Sequence, residues 1–192
     1  MPPKSKFTRD EILLAAIQMV REQGIEAVTA RELGARLGSS ARPIFTVFQS
    51  MEEVKEELLK KAKGLYREYV SEGLREEPAF KGVGSAYIRF ACREPKLFQL
   101  LFMSEQENGK DLEHILPVLD ENYEVILQSV QGPYGLDESI ARRLYQHLWI
   151  YTHGIASLCA TKVCHFSTEE IQTLMTEVFK SLLEKIKRSG AL

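Results

Sequence analysis

The chain has 192 residues, 44% of them hydrophobic and 27% charged, with a net charge of -2. That is the composition of an ordinary soluble globular protein, enough for one extended domain or two small ones that share a core. No apolar run approaches the roughly 20 residues of a membrane span, and the near-neutral balance excludes a protein coated in positive charge for indiscriminate nucleic-acid binding.

Residues 1–7 read as an arm. MPPKSKFTRDEI carries basic residues with no apolar segment behind them, so it is not a secretory signal. Thr8 and Glu11 have capping-box spacing, and Ile12, Ala15, Ala16, Met19 and Val20 follow as an amphipathic stripe that Gly24 can end. Ile25 and Val28 are apolar linker residues leading to TARELGARLGSSARPIFTVF, Thr29 to Phe48. There Thr29 and Glu32 repeat the capping box, and Ala30, Leu33 and Leu37 make one stripe. Gly38 can close the helix in a left-handed conformation. Ser40 can cap the next helix, with Pro43 in its first turn. Helix, tight turn, helix is the layout of a DNA-reading helix-turn-helix. Residues 1–50 hold seven Lys/Arg against five Asp/Glu, a surplus of two that leaves a deficit of four for the remainder. A basic head on an acidic body can dock on phosphates while the body stays clear.

Ser50 and Glu53 open a long helix to about Leu74, with the stripe Val54, Leu58, Ala62, Leu65 and Tyr69, and Pro78 breaks the pattern. Helices are then expected over Phe80–Cys92 and from Pro95 to Met103. A polar loop follows over Ser104–Asp111, then a helix over Ile115–Val130 and a turn cluster over Gly132–Asp137. Two long helices close the chain, about Glu138–Lys162 and Thr168–Arg188. With no strand-like alternation, the fold class is all-α: a three-helix N-terminal head plus a helical bundle. The expected division is 1–49 as DNA-binding head, 50–74 as connecting helix and 75–192 as effector-binding and dimerisation domain.

The penultimate helix is apolar on two sides, one carrying Ile140, Leu144, Leu148, Tyr151 and Ile155, the other Tyr145, Trp149, Thr152, Ala156 and Ala160. Two apolar sides need two partners. One is the chain's own core; the other is the same helix pair of a second copy, in a symmetric four-helix interface, unless both faces lie inside the monomer.

Thr8 through Phe48, ending in the aromatic pair Phe45 and Phe48, resembles the head of TetR/AcrR-type transcriptional regulators. The order of head, connecting helix and helical body extends that resemblance along the whole chain. Trp149, His153 and Gly154 in LWIYTHGIASL, with AYIRFACREPKLFQLLFM from Ala86 to Met103, are similar to a tryptophan-histidine-glycine branch of the family. The resemblance implies a cytoplasmic homodimer that binds a palindromic double-stranded DNA operator and releases it when a small, largely apolar molecule enters the body. It places the reading helix over Ala41–Val47. Arg42 and Thr46 could then reach base edges or phosphates, and Pro43 a thymine methyl. Thr29, Ser39 and Ser40 would contact phosphate at helix N-termini, with Arg31 and Arg36 as phosphate neutralisers. Phe45 stands where the family usually has a phosphate-binding tyrosine. Ala41 and Met51 each stand where lysine is frequent; each exchange removes a backbone anchor, which leaves DNA binding weaker, less salt-dependent, or reliant on Lys55, Lys4 and Lys6.

The effector pocket is expected to draw on Tyr87, Phe90, Phe98, Phe102, Tyr123, Tyr145, Trp149 and His153, with Tyr66 and Met103 in the same pool. Cys92, Cys159 and Cys164 read as free thiols, and Cys159, Cys164 and His165 match no zinc spacing, so neither metal nor cofactor is expected. The chain shows no Gly-rich phosphate loop, nucleophile elbow or metalloprotease motif, and His114, His147, His153 and His165 lack partners at motif spacing, so no catalytic residue is assigned. The rival reading is a helical interaction protein whose head binds a protein partner.

Overall fold

The structure, a computed structural model, describes residues 6–105 and 111–189. The expected arm up to Ser5, with Lys4, and residues 106–110 of the expected loop lie outside the described residues. Among those described, every regular element is helical: α1 Arg9–Gln23, α2 Ala30–Arg36, α3 Met51–Gly73, α4 Ala79–Arg93, α5 Pro95–Phe102, α6 Leu112–Leu119, α7 Tyr123–Tyr134, α8 Glu138–Ala160 and α9 Thr168–Ser189, with 3-10 turns at Ile25–Ala27 and Ile44–Thr46. Contacts group them into two compact units, Met1–Leu65 with Glu94–Ser104, and Tyr66–Arg93 with Glu105–Leu192.

In the first unit the caps form as their spacing predicts. Thr8 Oγ1 accepts from Glu11 N at 3.2 Å while Glu11 Oε2 accepts from Thr8 N at 2.8 Å, completing the box that starts α1. At the start of α3, Ser50 Oγ caps Glu53 N at 3.2 Å, but the Glu53 carboxylate reaches one residue further back, to Gln49 N at 2.6 Å. Ile12, Ala16, Val20, Leu33, Ile44, Phe48, Val54 and Leu58 form a core with almost no solvent contact. α5 belongs to this unit, not to the body segment that surrounds it in sequence. Its N-cap residue Glu94 receives Arg21 Nε at 2.8 Å and Nη2 at 2.6 Å, a two-pronged pair that ties it to α1.

The second unit contains the rest of α3 with α4 and α6 to α9, and α4 packs most extensively on α8. The two run parallel, since Phe80 meets Tyr145 at 5.9 Å between ring centroids and Tyr87 meets His153 about two turns further along both. Two expectations are corrected. The single helix expected over Ile115–Val130 is two, parted at Asp120, whose backbone is extended at φ -126° and ψ 108°. Asp120 Oδ1 accepts from Asn122 N at 2.9 Å and Nδ2 at 3.0 Å, so a side chain takes local N–H groups that helix carbonyls would otherwise receive. The turn expected from Gly132 starts late, because Gly132, Pro133 and Tyr134 complete α7 and the reversal falls at Gly135, with Asp137 capping α8 through Ile140 N at 2.9 Å.

A third correction concerns α8. Tyr145, Thr152, Ala156 and Ala160 are buried inside the unit, as are Leu144, Leu148 and Ile155 on the other expected face. Most of both faces is therefore covered within one chain, with Ile140, Trp149 and Tyr151 half-buried. The apolar residues left on the surface lie on a third face, where Ile150 is 52% and Leu158 36% exposed.

Candidate nucleic-acid interface and ligand cavity

The head's candidate reading surface is a turn. The helix expected over Ala41–Val47 is reduced to the 3-10 turn Ile44–Thr46, with Pro43 at its N-cap position (φ -61°, ψ -27°) and no side-chain cap from Ser40. Two features pull the segment tight. Gly38 takes a left-handed φ of 65°, and the backbone of Ser40 and Ala41 crosses α2 so closely that a Cβ on Gly34 would lie 2.7 Å from Ser40 C and 2.8 Å from Ala41 N. Ile44 and Phe48 anchor the turn from within, and Arg9 lies over the Phe48 ring at 4.3 Å while donating to Val47 O at 3.2 Å.

This leaves Arg42, Phe45 and Thr46 facing solvent, Phe45 at 46% exposure, and Pro43 half-buried. Arg42 has no ion-pair partner among the described residues, so its guanidinium is unengaged. Thr46 Oγ1 donates to Pro43 O at 2.7 Å. Thr29 is exposed and caps α2 through Glu32 N at 3.3 Å. Arg31 is almost fully exposed beside Glu32 at 3.8 Å. Ser39 accepts from Lys6 Nζ at 3.2 Å, and Ser40 is exposed. Arg36 is differently placed: both its terminal nitrogens bind Glu22 at 2.6 Å, which holds the Glu22 carboxyl below its usual range and makes the pair a clamp between α1 and α2.

In the second unit a cavity of about 400 Å³ lies among α3, α4, α7, α8 and α9. Tyr66, Phe80, Val83, Tyr87, Ile126, Tyr134, Tyr145, Leu148, Trp149, Met175, Phe179 and Leu183 give it an apolar, aromatic wall, with Asp120 and Thr152 as buried polar members. Of the expected pocket residues, Tyr66, Tyr87, Tyr145 and Trp149 are on this wall. Phe90 is buried against Tyr66 and Tyr69 instead, at centroid distances of 5.4 and 5.2 Å. Tyr123 stands behind Tyr145 at 5.3 Å, with its hydroxyl bound by Arg142 Nη1 at 2.9 Å. His153 backs the wall, stacked on Trp149 at 4.8 Å with Nδ1 2.9 Å from the Tyr87 hydroxyl. Phe98 and Phe102 are in the first unit, packed on each other at 5.2 Å.

Asp120 is among the wall residues that sequence reasoning missed. It is 4% exposed, and Oδ2 accepts from the Tyr66 hydroxyl at 2.7 Å. Burial first, then the Asp120 charge, pushes the Tyr66, Tyr87 and Tyr145 hydroxyls well above their ordinary range, so all three remain protonated donors. The signal available was the polar triplet Asp120-Glu121-Asn122 interrupting an apolar period. Met175 and Phe179, also on the wall, were readable only as part of the α9 stripe.

Cys92, Cys159 and Cys164 are free thiols, and burial, with hydrogen bonding to Cys92, pushes Cys159 up to about 12. Among the described residues no group of three or more His, Cys, Asp or Glu could hold a metal ion, and no helix is long and apolar enough to cross a membrane.

Residues 12–59 match the family described as bacterial regulatory proteins, tetR family, and residues 80–184 match the tetracyclin repressor-like C-terminal domain. No curated protein matches the chain significantly. Among solved structures, the fold is similar to the fatty acid degradation regulator FadR from Bacillus halodurans, with a TM-score of 0.62 and 18% identity over 94% of this chain and 97% of that one. It is also similar to a transcriptional regulator from Rhodococcus sp. Rha1, with a TM-score of 0.57 and 16% identity over 93% of this chain and 97% of that one. The head with its exposed arginine, the all-helical body and matches to both halves lead to one conclusion: the chain belongs to the TetR family and is a DNA-binding transcriptional regulator.

Proposed function

We propose that this regulator is a dimeric repressor that grips a palindromic operator and lets go when a small, largely apolar molecule occupies the body cavity. The observation that carries the reading is Tyr66. It lies on α3, whose first turn directly follows the reading turn, and it is also part of the cavity wall. A ligand pressing on Tyr66 acts on the helix that bears the head, and its preference for one helix position sets how far the equilibrium moves. Two heads about one DNA turn apart, roughly 34–36 Å, match two half-sites, and a shift of α3 in each copy breaks that match. Ile150 and Leu158 on α8, with the half-buried Leu174, Val178 and Leu182 of α9, supply the apolar face for the second copy. On DNA, Arg42 and Thr46 face the bases or nearest phosphates, Pro43 and Phe45 add apolar contact, and Thr29, Arg31, Ser39 and Ser40 hold the backbone.

The test is a mobility shift with DNA from the region upstream of the gene itself, read over a salt series. Binding should fall steeply as salt rises, and Arg42→Ala should weaken it by about 1–3 kcal/mol. Binding that ignores salt and Arg42 alike would return the head to a protein-binding role.

A further inference from the structure

Three buried tyrosines on the cavity wall differ in one respect. The Tyr66 hydroxyl donates to Asp120 at 2.7 Å and the Tyr87 hydroxyl lies 2.9 Å from His153 Nδ1. Tyr145 is as deeply placed, at 5% exposure, yet its hydroxyl has no hydrogen-bond partner among the described residues. Nor is its oxygen sealed in protein, because the only fully enclosed side-chain polar atom without a partner among the described residues is Arg89 Nε. The Tyr145 oxygen therefore keeps some exposure, and Tyr145 lines the cavity. Its ring is fixed edge-on to Phe80 at 5.9 Å and against Tyr123 at 5.3 Å, so the donor cannot swing away to find a partner elsewhere.

A buried donor facing an apolar space is satisfied only by what enters that space. The charge of the entrant follows from its neighbours. Asp120, 4% exposed and without an ion-pair partner among the described residues, sets a negative field beside Tyr145 that repels an anionic head group. Its oxygens already accept from Tyr66 and from Asn122 N and Nδ2, so there is little left to hold a cation. Lys81 and Lys180 also border the cavity, but Lys180 is exposed and Lys81 half-exposed, and their flexible stems keep the ammonium groups near water. We propose that Tyr145 is the polar anchor of this cavity and selects an apolar molecule bearing one uncharged oxygen acceptor, such as an alcohol, ketone or ester. The assignment rests on the effector reading above.

The chain carries its own reporter, since Trp149 is its single tryptophan and lies on the wall. Trp149 fluorescence of the full chain would be titrated with n-octane, 1-octanol, octanoate and octyltrimethylammonium, in wild type and in Tyr145→Phe. The expected order puts 1-octanol ahead of octane by about tenfold, the net worth of one neutral hydrogen bond, and ahead of both ions. In Tyr145→Phe, octane affinity should persist, showing an intact cavity, while the preference for 1-octanol disappears. Tightest binding by octanoate points to Lys81 and Lys180, tightest binding by the ammonium points to Asp120, and either overturns the proposal. So does a preference for 1-octanol that survives Tyr145→Phe, although the effector cavity itself would stand in all three cases. Silence from all four compounds removes the cavity reading and this inference with it.

Discussion

His153 is held neutral by its surroundings. Burial between Trp149 and Tyr87 pushes its pKa below the ordinary 6.5, because a charged ring there loses solvation that the neutral ring does not need. A folded pKa below the unfolded value gives stability that is fully present above about pH 6.5 and is lost as pH falls toward the folded pKa. The melting temperature should therefore drop between pH 7.5 and 5.5, and His153→Gln should flatten that part of the profile; an unchanged slope would place the titration elsewhere. The four-residue spacing of Trp149 and His153 already showed that they share a helix face. Their third member, Tyr87, is 66 residues from His153, and no local pattern signals a partner at that range. Asp120 was hidden for a related reason. An acid at the head of the polar triplet Asp120-Glu121-Asn122 looks like a surface residue until Tyr66, 54 residues earlier in the chain, is seen to donate to it.

Several elements were legible where a cap marked them. Thr8, Thr29, Ser50 and Asp137 each accept from the N–H three residues on, and the helices start beside them. A helix is expected over Ala41–Val47 from Ser40 as a cap, Pro43 in a first turn and the family resemblance. The actual tightness of the reading turn comes from a tertiary constraint, the passage of Ser40 and Ala41 across Gly34, which sequence periodicity does not register. That constraint makes Gly34→Ala informative. The added methyl would meet backbone at 2.7 Å, and the shift needed should cost about 1–3 kcal/mol of head stability. DNA binding should fall while the Trp149 response to ligand in the body stays as in wild type. A variant that melts and binds DNA normally would show that the turn can slide on α2. The α6–α7 break was missed because the apolar pattern resumes at Tyr123 after the short polar triplet Asp120-Glu121-Asn122, and the hydrogen bonds of Asp120 make that triplet a division.

For the whole molecule, the order of helices was readable and the use of their faces was not. Both apolar sides of α8 serve the chain's own core, which moves the expected second-copy contact to Ile150 and Leu158. If the proposed dimer uses this face, Ile150→Glu should give a monomer in light scattering behind size exclusion, with the Trp149 cavity response retained and operator binding reduced to that of a single half-site. A dimer that withstands this change would use another surface. The division into two units also explains why Phe98 and Phe102 misled: α5 lies within the body sequence but is tied into the head through Arg21 and Glu94. The contact of Lys6 with Ser39, 3.2 Å, carries a practical corollary. It sets Lys6 alongside the candidate reading surface, so a purification tag joined ahead of Lys6 would crowd that surface, and a tag following α9 is the better choice for any binding measurement.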